Sequence, residues 1–249
     1  MSINVLTLSD VQIEFIYSPR IQARFPDVEL VIGCGDLPYY YMEYVSNALN
    51  APLYFVRGNH ASQVEYTVAG PRTAPLGAID LHRRIVQHDG LLLAGVEGSL
   101  RYRESPFQYS QGEMWGHVFR MMPALMINRV IYGRFLDVFV SHAPPWGIHD
   151  QADLPHQGIK AFLWLLRVVR PAYHFHGHIH VYRSDTVTKT RYHNTQVINT
   201  YGFLETAIEA NPSGVAPLSF LKRKRQAFGA TLWQGKLRTS LPPEPKENE

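Results

Sequence analysis

Five short apolar runs, at 3–8, 28–32, 53–56, 135–140 and 172–175, each break off into a turn bearing Gly, Asp, Asn or His. Each run reads as a strand, and in open α/β sheets ligands gather at the carboxyl ends of the strands. Asp10, Asp36, Asn59, His60, His142, His178 and His180 all fall at such ends. Between the runs, residues 38–49 read as a helix with Pro38 near its first position. Residues 113–132 read as a helix interrupted or restarted at Pro123 and stopped by Gly133. Ile159, Phe162, Leu163, Leu166 and Val169 share one helical face, which Pro171 closes.

The segments 84–87 and 91–96 flank His88-Asp89-Gly90 and predict a hairpin, while 99–112 is polar and loop-like. Further strands are expected at 185–190, 196–199 and 203–208. Strand–helix alternation followed by strands predicts an α/β (α+β) sandwich of sheets covered by helices.

The chain has 249 residues, 45% hydrophobic and 18% charged, which suits one large domain with a buried core. A single domain is expected over 1–241, with a disordered Pro-rich, charged tail at 242–249. The net charge of +3 fits an anionic substrate and is far too mild for a dedicated nucleic-acid partner. Part of it lies in Lys222-Arg223-Lys224-Arg225, read as a solvated surface patch. The single cysteine, Cys34, excludes an intramolecular disulfide framework and sits in the apolar run VELVIGCGD, as a buried structural thiol would. Its solitude suits a reducing compartment, and the first residues carry no export-signal pattern, so a cytoplasmic protein is expected. The most apolar helical stretch, AFLWLLRVV, is short and contains Arg167, so no membrane span is expected.

Histidine is abundant, with 12 copies, several of them clustered. An Asp after a strand, or Gly-Asp in a turn, is by itself a common cap. Gly58-Asn59-His60 says more, because the glycine permits a tight backbone while two ligand-type side chains project together. In His178-Ile179-His180 an extended chain would point both imidazoles to one side, a pattern that suits borderline cations. Two carboxylates, one amide and three or four imidazoles exceed the four ligands of one structural zinc and suit two adjacent divalent ions.

In order, Asp10-Val11-Gln12, Gly35-Asp36, Gly58-Asn59-His60, His142 and Gly177-His178-Ile179-His180 resemble the calcineurin-like metallophosphoesterases, in their small single-domain branch. The resemblance covers roughly residues 3–208 and implies a four-layered αββα sandwich of two mixed β-sheets flanked by helices. It also implies a binuclear centre in which Asp36 bridges the ions. Asp10, His180 and the residue at position 12 would complete one site, and Asn59, His142 and His178 the other. Manganese is the ion expected, with iron, zinc or magnesium as alternatives. The implied reaction is hydrolysis of a phosphodiester by a metal-bridging hydroxide. His60 would then be proton donor to the leaving group or stabiliser of the transition state. A phosphomonoesterase or nucleotide pyrophosphatase is the alternative within the enzyme class, and a non-catalytic protein-binding scaffold the alternative outside it.

The sequence departs from this pattern at Gln12, where the family usually has histidine. A neutral amide oxygen is a weaker donor than imidazole for zinc or iron, so an occupied but weaker site is expected. The x-x-D-R-G continuation of protein serine/threonine phosphatases is absent after Gly35-Asp36, which leaves a small phosphoester as the expected substrate. Arg57, His149 and His156 are candidate substrate contacts; nothing in the sequence fixes an oligomeric state.

Overall fold

The computed structural model describes residues 2–68 and 70–209. The charged cluster at 222–225, the tail at 242–249 and the end of the domain expected over 1–241 lie outside those residues. In chain order the strands and helices are β1 (Ser2–Ser9), α1 (Ile21–Arg24), β2 (Leu30–Gly33), α2 (Tyr39–Leu49), β3 (Leu53–Phe55), β4 (Glu65–Thr67), β5 (Gly70–Arg72) and β6 (Ile79–Asp80). They continue with β7 (Ile85–His88), β8 (Leu91–Val96), β9 (Ser99–Leu100), β10 (Gln108–Tyr109), α3 (Gln111–Tyr132) and β11 (Val138–Ser141). After a 3-10 turn at Leu154–His156 come α4 (Lys160–Val169), β12 (Tyr173–His176), β13 (Lys189–Tyr192), β14 (Thr195–Asn199) and β15 (Gly202–Glu209).

Two mixed sheets carry the architecture, one in the order β15-β1-β2-β3-β6 and the other β13-β14-β12-β11-β8-β7. Their central strands are parallel, and β15, β13 and β7 add antiparallel edges. Period-2 alternation sends the apolar side chains to both faces. Ile3, Val5, Leu30, Ile32, Leu91, Leu93, Val138, Val140 and Phe175 fill the space between the sheets. Leu6, Leu8, Val31 and Phe55 face the opposite way, onto α1 and α2 through Ile21, Tyr41, Met42 and Val45. Leu92, Ala94, Val96 and Phe139 pack on α3 and α4 through Met114, Val118, Met121, Phe162 and Leu166. The result is the αββα sandwich. Strands covered on both faces must be apolar throughout, which is why these runs show so little polar interruption.

Because the central strands of both sheets are parallel, each sheet presents several carboxyl ends in a row. Asp10, Asp36 and Asn59 follow β1, β2 and β3, while His142 and His178 follow β11 and β12. Cross-strand bonds hold these turns in register: Asp10 N–H donates to the Gly35 carbonyl (3.1 Å), Gly177 N–H to His142 (3.0 Å) and Thr200 N–H to His176 (2.8 Å).

The hairpin around Asp89-Gly90 forms as expected, with His88 paired to Leu91. Two local expectations need correction, and one further segment carries strands that no sequence pattern predicts. The polar stretch 99–112 contains the parallel pair β9–β10, too short to carry an apolar signature. The segment 64–80 holds the hairpin β4–β5 and strand β6. Helix α3 starts two residues early, at a Ser110–Glu113 capping box, and runs unbroken through Pro123 to its left-handed cap, Gly133 (φ 73°). Pro123 cannot donate to the Phe119 carbonyl, but Phe119 and Pro123 are exposed, so water can satisfy that carbonyl. Among the described residues no helix is long and apolar enough to cross a membrane.

Pro123→Ala should therefore restore the missing helical bond and raise the unfolding free energy by about 2 kcal/mol in urea titrations. An unchanged or lower midpoint would show that the ring itself stabilises α3.

Candidate metal centre

Each of the three glycines before the predicted ligands is required by its surroundings. A Cβ on Gly35, whose φ is +100°, would strike the His142 ring and approach the Gly58 nitrogen to 2.8 Å. On Gly58 it would strike the Asp36 carboxylate, and on Gly177 it would strike Ser9 Oγ and meet Asp10 Oδ2 at 2.5 Å. The missing side chains let strand ends from both sheets close around a small polar volume. Asp10 (φ 65°), Asp36 (φ 56°) and His178 (φ 68°) themselves occupy the left-handed region, rare for residues other than glycine. Strain of this kind persists where surrounding structure imposes it, and it gathers at functional sites.

Asp36, His142 and His178 offer donor atoms that all lie within 4.8 Å of one another. His142 is wholly buried, and its Nδ1 faces the Cys34 carbonyl at 2.9 Å. A carbonyl only accepts, so Nδ1 carries the proton and donates it there. Nε2 then points at Asp36 Oδ2 (3.0 Å) and Asn59 Oδ1 (3.0 Å). His178 donates from Nε2 to the Pro155 carbonyl (2.8 Å), which leaves its Nδ1 with the free lone pair. Carbonyl partners that fix the tautomer and aim the other nitrogen are the usual support of a metal-binding histidine.

The electrostatics agree with a site built for a cation. Burial pulls the His142 ring down, but Asp36 beside it more than reverses this and holds the ring at about 9. Burial pushes Asp36 up, yet His142 and the His60 N–H (2.8 Å) outweigh it and hold the carboxyl at about 2. A proton on His142 Nε2 thus stands between an imidazole nitrogen and two oxygens, where a divalent ion would meet the same three donors. The mixed O/N set fits manganese, iron or zinc. Burial pushes His178 down to about 3, keeping it neutral as a ligand must be.

Asp10 is nearly inaccessible and accepts the His178 N–H on both carboxylate oxygens (3.1 Å each). Burial raises its pKa. His180 Nε2 stands 3.9 Å from Asp10 Oδ1, and its Nδ1 meets the Tyr182 hydroxyl at 2.8 Å. Gln12 is exposed, and its Oε1 accepts from the Tyr40 hydroxyl at 2.7 Å. Asp10 and His180 therefore adjoin the three-residue cluster, while Gln12 lies outside it. Cys34 lies below the site as a buried thiol, pushed up to about 12 by burial.

The three candidate substrate contacts fare differently. Arg57 turns inward, pairing with Asp80 (2.5 Å) and Glu97 (3.3 Å) and donating to the Thr73 carbonyl (2.6 Å). His149 has both ring nitrogens engaged, one by His176 (2.9 Å) and one by Thr190 Oγ1 (2.9 Å). His156 stays beside the cluster, its ring centre 5.5 Å from that of His178, with Nδ1 held by Asp153 (2.6 Å).

Sequence reading missed Tyr102, whose hydroxyl accepts from Asn59 Nδ2 (3.3 Å), and Arg103, which reaches His60 Nδ1 (3.5 Å). Their one signal was the alternation of basic and aromatic residues in Arg101-Tyr102-Arg103. The Cys34 and Pro155 carbonyls had none, since any residue type can supply them.

The fold has solved counterparts. The protein TT1561 of Thermus thermophilus is 12% identical with a TM-score of 0.55, over 85% of this chain and 100% of that one. Vacuolar Protein Sorting 29 from Cryptosporidium parvum is 12% identical with a TM-score of 0.42, over 84% and 87%. A novel archaeal phosphodiesterase is 14% identical with a TM-score of 0.37, over 83% and 100%. No curated protein matches the chain at a significant level. The family model described as calcineurin-like phosphoesterase matches residues 3–182, well over half the sequence and every strand end that carries a ligand-type residue, so the chain belongs to the calcineurin-like phosphoesterase family.

Proposed function

We propose that the protein hydrolyses a small phosphodiester with two divalent ions, manganese being the expected metal. The observation that carries this reading is the convergence of Asp36, Asn59 and His142 through 3.0 Å contacts, with His178 in the same cluster. Asp36 would be shared between the ions, with Asn59, His142 and His178 holding one and Asp10, His180 and Gln12 the other. When bound, the ions supply Lewis acidity and lower the pKa of coordinated water towards neutrality.

The chain's own residues supply the rest. His60 is anchored by its backbone N–H on Asp36, while its ring stands exposed. A guanidinium only donates, so Arg103 facing Nδ1 at 3.5 Å places the ring proton on Nε2. His60 thus presents an N–H to a leaving-group oxygen, and Arg103 adds positive charge where phosphoryl oxygens would lie. Asn59 is held by Tyr102 and His142 from opposite ends, which fixes its amide oxygen towards Asp36 and His142.

Adding Mn²⁺ to metal-stripped protein should give hydrolysis of bis-p-nitrophenyl phosphate above p-nitrophenyl phosphate, absent from Asp36→Ala. Faster monoester cleavage would make it a phosphomonoesterase, and no stimulated cleavage of either would favour a scaffold. His60→Ala should cut kcat by about 10²–10⁴ while leaving metal content unchanged; lost metal content would make His60 structural. Gln12→His should tighten binding of the weaker ion by calorimetry. If affinity and stoichiometry stay as in the parent protein, position 12 is not a ligand.

A further inference from the structure

A second cluster of basic side chains lies apart from the metal centre, where the edge strands β6 and β7 approach α3. A cavity of about 400 Å³ there is lined by Asp80, His82, Arg83, Arg84 and Arg120, none of which belongs to the Asp36–His142–His178 cluster. Arg83 and Arg84 lie on the connection from β6 to β7, and Arg120 comes from α3. All three arginines are exposed, and among the described residues none of their guanidinium groups has a hydrogen-bond or ion-pair partner. The one carboxylate in the wall is already neutralised: Asp80 holds Arg57 at 2.5 Å and accepts the His82 N–H at 2.8 Å. Arg57 also reaches Glu97 behind it (3.3 Å), so basic side chains outnumber acidic ones around the cavity.

The wall is ordered from behind. The Glu97 N–H donates to His82 Nδ1 (3.1 Å), and the His82 ring packs on that of His117 with centroids 4.9 Å apart. His117 lies one turn before Arg120 on α3, so the same packing sets the helix that carries the third arginine. Arg83 adopts φ 57°, a left-handed conformation disfavoured for a long side chain, and is pinned there by its N–H on the Gly95 carbonyl (2.9 Å). Glycine or asparagine would fit that backbone more easily, so arginine at this position is not explained by the turn.

We propose that this cavity is an anion-binding site for a diphosphate group, held by Arg83, Arg84 and Arg120. The planar fork of arginine matches phosphate oxygens in paired hydrogen bonds. Three arginine forks offer more paired donors than the oxygens of one phosphate take up, and they suit two linked phosphates. The cavity lies within the size range of small-ligand sites, about 300–1,000 Å³. The group could arrive as free pyrophosphate or as the diphosphate of a nucleotide.

The test is calorimetric titration of the full-length protein, with divalent ions removed by EDTA, against pyrophosphate, ADP, orthophosphate and sulfate. Pyrophosphate should bind one per chain, about tenfold or more tighter than orthophosphate or sulfate. Arg84→Gln and Arg120→Gln should each weaken it by about tenfold or more with unchanged circular dichroism, and Asp36→Asn should leave it as it was. ADP binding alongside pyrophosphate would identify a nucleotide diphosphate as a ligand, whereas pyrophosphate alone would restrict the site to the free ion. No saturable binding at millimolar pyrophosphate, equal affinity for sulfate, arginine variants that bind like the parent, or loss of binding in Asp36→Asn would each overturn the proposal.

Discussion

Both ring nitrogens of His142 reach from the second sheet into the first, Nδ1 to the Cys34 carbonyl and Nε2 to Asp36 and Asn59. The ring is completely buried, so it requires polar partners on both sides. Those partners sit on the turns after β2 and β3, whereas His142 follows β11, and the polar bridge therefore crosses the seam between the sheets. Apolar packing between the sheets brings the strand ends near one another without fixing their relative height. The bridge does fix it, because an N–H donor and a carbonyl must meet within a few tenths of an ångström. Removing any partner would leave a charged or polar group stranded in the interior, which costs more than the bridge contributes as a net interaction.

That closeness has a backbone requirement. Gly35, Gly58 and Gly177 are the places where one turn lies against the next, with no room for a Cβ. Asp10, Asp36 and His178 accept left-handed backbone so that their side chains turn into the same volume. Each such residue carries strain on the order of 1–3 kcal/mol, sustained by the sheets beneath it. The two features belong together: glycines give the approach, and strained ligand residues give the aim. Stability alone would select neither.

Much of this was legible in the sequence for a definite reason. Central strands covered on both faces must be apolar, so β1, β2, β3, β11 and β12 stood out as runs, and the polar residues ending them stood out by contrast. The order of those ends carried the family, the sandwich and the grouping of Asp36, His142 and His178. Short edge elements did not show, because β4, β5, β6, β9 and β10 are two or three residues long and make no periodic pattern. Pro123 misled because its local penalty is blunted when the orphaned carbonyl faces water. Arg57 and His149 show a different limit: a residue's type shows that it can meet a phosphate, but only the fold shows which partners it already has. Asp80 and Glu97 have taken Arg57, and His176 and Thr190 have taken His149.

Gln12 shows how far such reasoning extends. As sequence it was a departure from a histidine position, and as structure it is an exposed amide whose oxygen accepts from Tyr40. An amide oxygen has two lone pairs, so that bond leaves one free and orients it. Tyr40 thereby plays towards Gln12 the part that the Cys34 and Pro155 carbonyls play towards His142 and His178, holding a side chain in one pose from outside the cluster. The difference is one of charge and surroundings. The carbonyl-backed imidazoles are buried and remain poised whether or not a cation is present, while the Tyr40–Gln12 pair is exposed to water and weakly committed. Two ions held on these residues would therefore sit unequally, one among the buried Asp36, Asn59, His142 and His178, the other beside a buried Asp10 but with Gln12 and His180 open to water.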